Sequence, residues 1–215
     1  MPQSVRFLAL PAVLAFAGAS ALWGAPAQAP GQPDLSRVVA GTYTADAGHT
    51  VVVWRVNHMG FADYFGLFGA ITGTLVLDPA HPEAAQVAMR IPVSKLVTAN
   101  PGLTGAMLRP NSTGKPDYFG PKPADAAFNS TKVTPGADGK SAVIDGKLTL
   151  NGVTKPVSIA AKFTGAGKSP YGGGLNVGFE GTARINRSDF GLNADIPLVG
   201  EQVELTISAT FQKKS

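Results

Sequence analysis

From Thr50 to His58 the chain alternates. Thr50, Val52, Trp54, Val56 and His58 form one row, and Val51, Val53, Arg55 and Asn57 form the other. Side chains two apart on a strand share a face, so this is a strand with one mostly apolar side that needs a cover. The same period returns over 71–78, 85–91, 142–150, 157–163, 175–185 and 203–211, more weakly over 127–133, and a short strand begins at Thr42. Pro92 closes the strand before it or places it at an edge. Asn151 and Gly152 tolerate positive φ and mark a hairpin, and 165–174 is a glycine-rich turn. The pattern predicts an all-β chain of eight or nine strands with almost no helix, each strand apolar on one face, as in an antiparallel sheet solvated on one side. Closing such a sheet removes its edges. About eight strands give an interior that side chains fill or that holds one small ligand. A two-sheet sandwich would show the same alternation.

Two stretches break the period. Phe61, Tyr64, Phe65 and Phe68 form an aromatic-rich connection between the first two long runs. From 93 to 126 there is no period of two, and Pro101, Pro110, Pro116 and Pro121 interrupt any long helix. A connection of this length in a compact domain is usually functional. It reads as a short helix near 103–108 and a loop through Asp117, Tyr118 and Phe119, together a flap over one barrel end; a surface excursion without a role is the other reading.

The order His49, Thr50, Trp54, Val56, His58, Gly60, Gly66, Phe68 resembles the N-terminal signature of the YceI-like family. The run from Asp145 to Val157 (DGKLTLNGVTKPV) is similar to that family's second block, and Ile185 to Gly191 (INRSDFG) to its third. The blocks span roughly 42–211. The resemblance implies a single antiparallel up-and-down barrel, lipocalin-like, in a secreted bacterial protein that carries a long isoprenoid or similar apolar molecule. It decides for a barrel where periodicity leaves a sandwich open. The stretch 105–116 departs from the family pattern.

Ahead of the barrel, residues 1–27 join a short n-region carrying Arg6 to an apolar run from Phe7 and end in Ala25-Pro26-Ala27, a small-x-small cleavage pattern. This is the order of a secretory signal. An uncleaved anchor is the other reading, but the run to Trp23 falls short of the ~20 apolar residues of a spanning helix, and Pro11 interrupts it. Residues 28–40, rich in Pro, Gln and Gly at their start, read as a flexible leader, and 41–215 as the barrel domain. A periplasmic or secreted location follows, without stable membrane insertion after cleavage.

Composition narrows the chemistry. The formal charge is +4, or +3 once Arg6 is removed, and no basic patch with interleaved aromatics is present, so nucleic acid is not an expected partner. With no cysteine, thiol catalysis, disulfides and lipoprotein anchoring are excluded. HExxH and GxSxG are absent, and Gly167-Lys168-Ser169 lacks the first glycine of a phosphate loop because position 162 is Lys. Asp46, His49 and His58 are the metal candidates, but His49 faces away from His58 on a regular strand. No catalytic residue, metal or cofactor is therefore expected.

Small inward residues (Gly73, Gly146, Ala161, Gly181, Ala183, Ala209) leave volume among large apolar neighbours, and apolar pockets bind apolar ligands. The expected lining takes Val52, Trp54, Val56 and Leu75 from the first strands, Phe61, Phe65 and Phe68 from the aromatic connection, and Leu148, Ile159, Phe179, Ile185, Leu205 and Ile207 from the later ones. His58 and Arg187 are expected at the mouth, holding a quinone or phosphate head. The alternative for His58 is a turn hydrogen bond, and for Arg187 a salt bridge to Asp189 or Asp195. Two other functions fit the same strands: a secreted hydrolase or metal-dependent enzyme, and an adhesion module with a filled core. An edge-strand homodimer is also compatible with the pattern.

Overall fold

A computed structural model describes residues 28–110 and 113–214. Its strands are β1 (Gly41–Ala45), β2 (Val51–His58), β3 (Ala62–Phe68), β4 (Thr72–Leu77), β5 (Gln86–Ile91), β6 (Leu96–Thr98), β7 (Ala126–Pro135), β8 (Ser141–Leu150), β9 (Val153–Lys168), β10 (Leu175–Asn186) and β11 (Val199–Lys213), with one helix, α1 (Pro101–Met107). Several of these are halves of one bent strand. β1 pairs with β4 (Gly41↔Leu77) and β2 with β3 (Val52↔Phe68), so β1–β2 and β3–β4 form a single long hairpin. Next to it β5 pairs with β4 and β6 with β3. Counted this way there are eight long antiparallel strands, each beside the next in sequence, and β11 closes the ring on both β1 and β2. This is the expected up-and-down barrel.

Turn chemistry fixes the register. Asn151 (φ 51°) and Gly152 (φ 78°) both take positive φ between β8 and β9, as the Asn-Gly signal requires. Met59 (φ 56°) and Gly60 (φ 73°) do the same between β2 and β3, and the Phe61 amide donates to the His58 carbonyl at 3.1 Å. That tight turn makes the aromatic connection a strand, with Arg55 opposite Phe65 and Trp54 opposite Gly66. Arg55 faces out, where it bonds Glu204 at 2.5 Å and Asp63 at 3.0 Å, so Phe65 faces out as well.

The two barrel ends differ. At one end lie the β2–β3 and β8–β9 turns, the β10–β11 loop and the 99–125 connection. The helix packs there through Met107 and Leu103 on Trp54, Val56 and Leu96. The Met107 carbonyl accepts from the Phe119 and Gly120 amides at 3.1 and 3.2 Å. Tyr118 donates to Asp195 at 3.1 Å, and burial followed by that carboxylate pushes its hydroxyl up to about 12. The helix-and-loop flap is therefore present. Phe190, Leu192, Val93 and Leu150 fill the rest of this end.

At the other end the β4–β5 and β7–β8 turns stand beside residues 30–38. Gln32 bridges Ala166 of β9, its amide donating at 3.1 Å and its carbonyl accepting at 2.8 Å. Gly167 makes room for this crossing: a Cβ there would lie 2.0 Å from the Pro30 carbonyl oxygen. Val38 is buried beside Tyr43, Phe163 and Phe211, and the Tyr43 hydroxyl donates to the Val39 carbonyl. The leader is thus seated on the barrel. The secretory signal expected over 1–27 lies outside the described residues.

Candidate functional site: an apolar cavity open at one end

Between the β4–β5 turn and the barrel's mid-height lies a cavity of about 270 Å³. Its walls come from inward positions of several strands, among them Leu75, Met89, Phe128, Ile144, Ile159 and Ile207. The small residues do what their size suggests. Ala161, Gly181 and Ala209 line the void; the two alanines leave space that a longer side chain would take, while Gly181 admits Ile159, whose Cγ2 would lie 3.0 Å from a Cβ there. Gly146 serves differently: a Cβ there would sit 2.4 Å from the Phe128 ring, so the glycine admits the aromatic across the strand pair. Thr50 is the buried hydroxyl of the lining, and it is satisfied by the Thr210 carbonyl at 3.2 Å and the Thr210 amide at 3.3 Å. A ligand inside therefore meets hydrocarbon.

Polar groups gather at the mouth. Lys140 of the β7–β8 turn and Ser141 at the start of β8 border the cavity, and the exposed Lys162 and Glu180, opposite each other on β9 and β10, reach its edge from the outer face. Pro79, Pro82 and Pro135 form the turn rims, and Leu35 and Val38 close one side from the leader.

Of the expected lining, Val52, Leu75, Ile159, Phe179 and Ile207 face this cavity. Trp54, Val56 and Leu205 belong instead to the layer packed on the flap, while Leu148 and Ile185 pack against Phe190 and Leu150, and Phe68 touches both groups. These six are inward, as their period says, but they fill the closed end. Phe61, in the turn ahead of β3, is 89% exposed, and Phe65 is 54% exposed on the outer face of β3 opposite Arg55.

The head-group pair needs correction. His58 ends β2 at the flap side, its ring 4.5 Å from that of Tyr64, away from the cavity. Arg187 is 5% exposed and its guanidinium donates to the carbonyls of Leu192 (2.7 Å), Gly200 (2.8 Å) and Val199 (2.9 Å). Burial lowers its pKa, with Tyr118, Asp195 and Glu201 acting the other way. It pins the β10–β11 loop to the start of β11 through backbone carbonyls rather than through a salt bridge to Asp189 or Asp195, and it stands at the flap end, away from the cavity. His49 meets Asp46 at 2.7 Å on the surface, and among the described residues no group of three acidic, His or Cys side chains is placed to hold a metal.

Missed from sequence were Met89, Phe128, Ile144 and the rim. The first three were legible as alternating inward positions next to glycine and alanine. The rim was not, because periodicity says which face a residue is on and not which barrel end stays hollow.

An eight-stranded antiparallel barrel with an apolar cavity open at one end is the architecture of a small-molecule binding barrel. The YceI-like domain model matches residues 43–211. The UPF0312 protein of Pseudomonas fluorescens is 38% identical over 178 residues, 80% of this chain and 87% of the relative. That of Photorhabdus laumondii is 33% identical over 178 residues, 81% and 88% of the two chains. The chain belongs to the YceI-like family.

Among solved structures, BcnA of Burkholderia cenocepacia aligns with a TM-score of 0.63 at 22% identity, covering 77% of this chain and 98% of that one. A polyisoprenoid binding domain from Saccharophagus degradans, implicated in plant cell wall breakdown, aligns at 0.55 and 12%, covering 80% and 98%. At these identities the two structures show a shared fold.

Proposed function

We propose that the protein binds the apolar tail of an isoprenoid-like lipid, a polyprenyl chain or isoprenoid quinone, inside the barrel and carries it in the periplasm without chemical change. One observation carries the reading: a cavity lined by hydrocarbon, with the short side chains of Ala161 and Ala209 in its wall, opens beside polar groups at one barrel end. Such a site takes a tail inward and leaves a head group outside. Each roughly 100 Å² of tail surface withdrawn from water contributes about 2.5 kcal/mol before ordering costs. No reacting group is needed for this. The polyisoprenoid-binding description of the Saccharophagus neighbour supports the ligand class. The n-region, apolar run and cleavage pattern of 1–27 support the location.

Filling the void tests the reading. Ala161 points into the cavity and Ala160, its neighbour on β9, faces out. Ala161→Phe is expected to lower farnesol or apolar-dye uptake at least tenfold, with Ala160→Phe unchanged. Equal uptake by the two variants would remove the cavity from the account.

A further inference from the structure

We infer that Trp54 is the floor of the cavity and sets how much apolar chain the barrel accepts. This rests on the tail-binding reading and adds a length limit to it.

The boundary between hollow and filled halves follows the strand register. Val52 pairs with Ile207, and Ile207 with Gly181, and all three line the cavity. One inward step further, Trp54 pairs with Leu205, and Leu205 with Ala183, and none of these three lines it. A single row of side chains thus separates the two halves across three adjacent strands. Trp54 is the largest member of that row. It is 6% exposed and packed from below by Val56, Leu96 and Met107, so the flap supports it.

Gly66 holds the ring in place. It is the cross-strand partner of Trp54, and a Cβ there would lie 2.3 Å from the indole Cζ2. The missing side chain gives the indole a flat seat on β3. The seat is not polar: Trp54 Nε1 is buried with no hydrogen-bond partner, alone in this among the described residues. A buried donor left unmade is costly, so the row gains from the bulk of the ring and not from its N–H group.

Cavity depth follows from the strands. The lining positions Ala85, Val87, Met89 and Ile91 on and just before β5 span six residue steps, about 20 Å along a strand and about 15 Å along the axis at a barrel tilt of about 40°. A prenyl chain longer than this leaves its excess outside the mouth, where it adds little to affinity.

The test compares the affinities of geraniol, farnesol, geranylgeraniol and solanesol for the full chain and its variants, by displacement of a bound apolar dye. For the wild type, affinity should rise along the short members and then level off. Trp54→Ala should move the plateau to a longer prenol and strengthen binding of geranylgeraniol about tenfold over wild type, leaving geraniol nearly unchanged. Trp54→Phe, which keeps an aromatic ring and removes the unmade donor, should stay much closer to the wild-type profile than Trp54→Ala. If Trp54→Ala does not fold, Leu205→Ala removes volume from the same row and should shift the plateau in the same direction. A plateau unmoved in every folded floor variant overturns the floor assignment while leaving tail binding intact. A wild type that binds none of the four overturns both.

Discussion

Arg187 shows how one buried side chain can look functional from sequence and prove structural. Removing it strips donors from the carbonyls of Leu192 in the β10–β11 loop and of Val199 and Gly200 at the start of β11, and hydrogen bonds to a charged group contribute about 1.5 to 3 kcal/mol each before relaxation. Arg187→Ala is therefore expected to destabilise the protein by about 3 kcal/mol or more in urea unfolding. Arg187→Lys should recover only part, because an ammonium lacks the planar fork. Neither should change prenol affinity while the barrel is folded. On the outer wall, Glu204 accepts from Arg55 and Arg184. The Arg55 hydrogen bond, aided by Arg184, holds its carboxyl below the ordinary 4.5. A depressed folded-state value means that the contribution is present above pH 4.5 and is lost as pH falls through the folded value. The urea midpoint should drop on acidification below 4.5, and Glu204→Gln should flatten that limb. An unchanged limb in the variant would show that the network does not couple to folding.

At the level of elements, the strands were legible and their ends less so. Alternation located β2, β4, β5, β8, β10 and β11, and the Asn151-Gly152 pair located a turn, because one-sided burial forces a period of two. β3 was hidden because Tyr64, Phe65 and Phe68 do not alternate in hydrophobicity: Phe65 faces water beside Arg55 although it is apolar. The helix expected near 103–108 runs from Pro101 to Met107, two residues earlier at its start, because Pro101 is accommodated in the first turn and Asn100 caps it. The Asn100 side chain accepts from the Gly102 and Leu103 amides at 2.9 and 3.3 Å. Asn100→Ala should cost about 1 kcal/mol. It should raise amide exchange in the 101–107 helix and at Phe119 and Gly120, which bond the helix's last carbonyl, while β9 and β10 stay protected. Uniform loss of protection would mean that the flap unfolds only with the barrel.

For the molecule as a whole, the chain closes a ring from eight long strands and leaves an apolar cavity inside it. Ile, Leu and Trp with the flap close one end, and between them and the leader end Ala161 and Ala209 stand in the wall of the cavity. The residues that read as one lining from sequence divide at the Trp54 row, since a period of two records face and carries no information on depth. That is why the same alternation covers Val52 and Ile207, which face the cavity, and Trp54 and Leu205, which stand one inward step beyond it. The leader adds Leu35 and Val38 to the cavity wall, a role that its Pro- and Gln-rich composition does not announce. The most direct measurement is native mass spectrometry of the protein isolated from the cells that make it. The account predicts a discrete added mass, released by organic solvent and identified as a prenyl lipid, and reduced in Ala161→Phe. Protein that carries no added mass and takes up none from an excess of farnesol would contradict it.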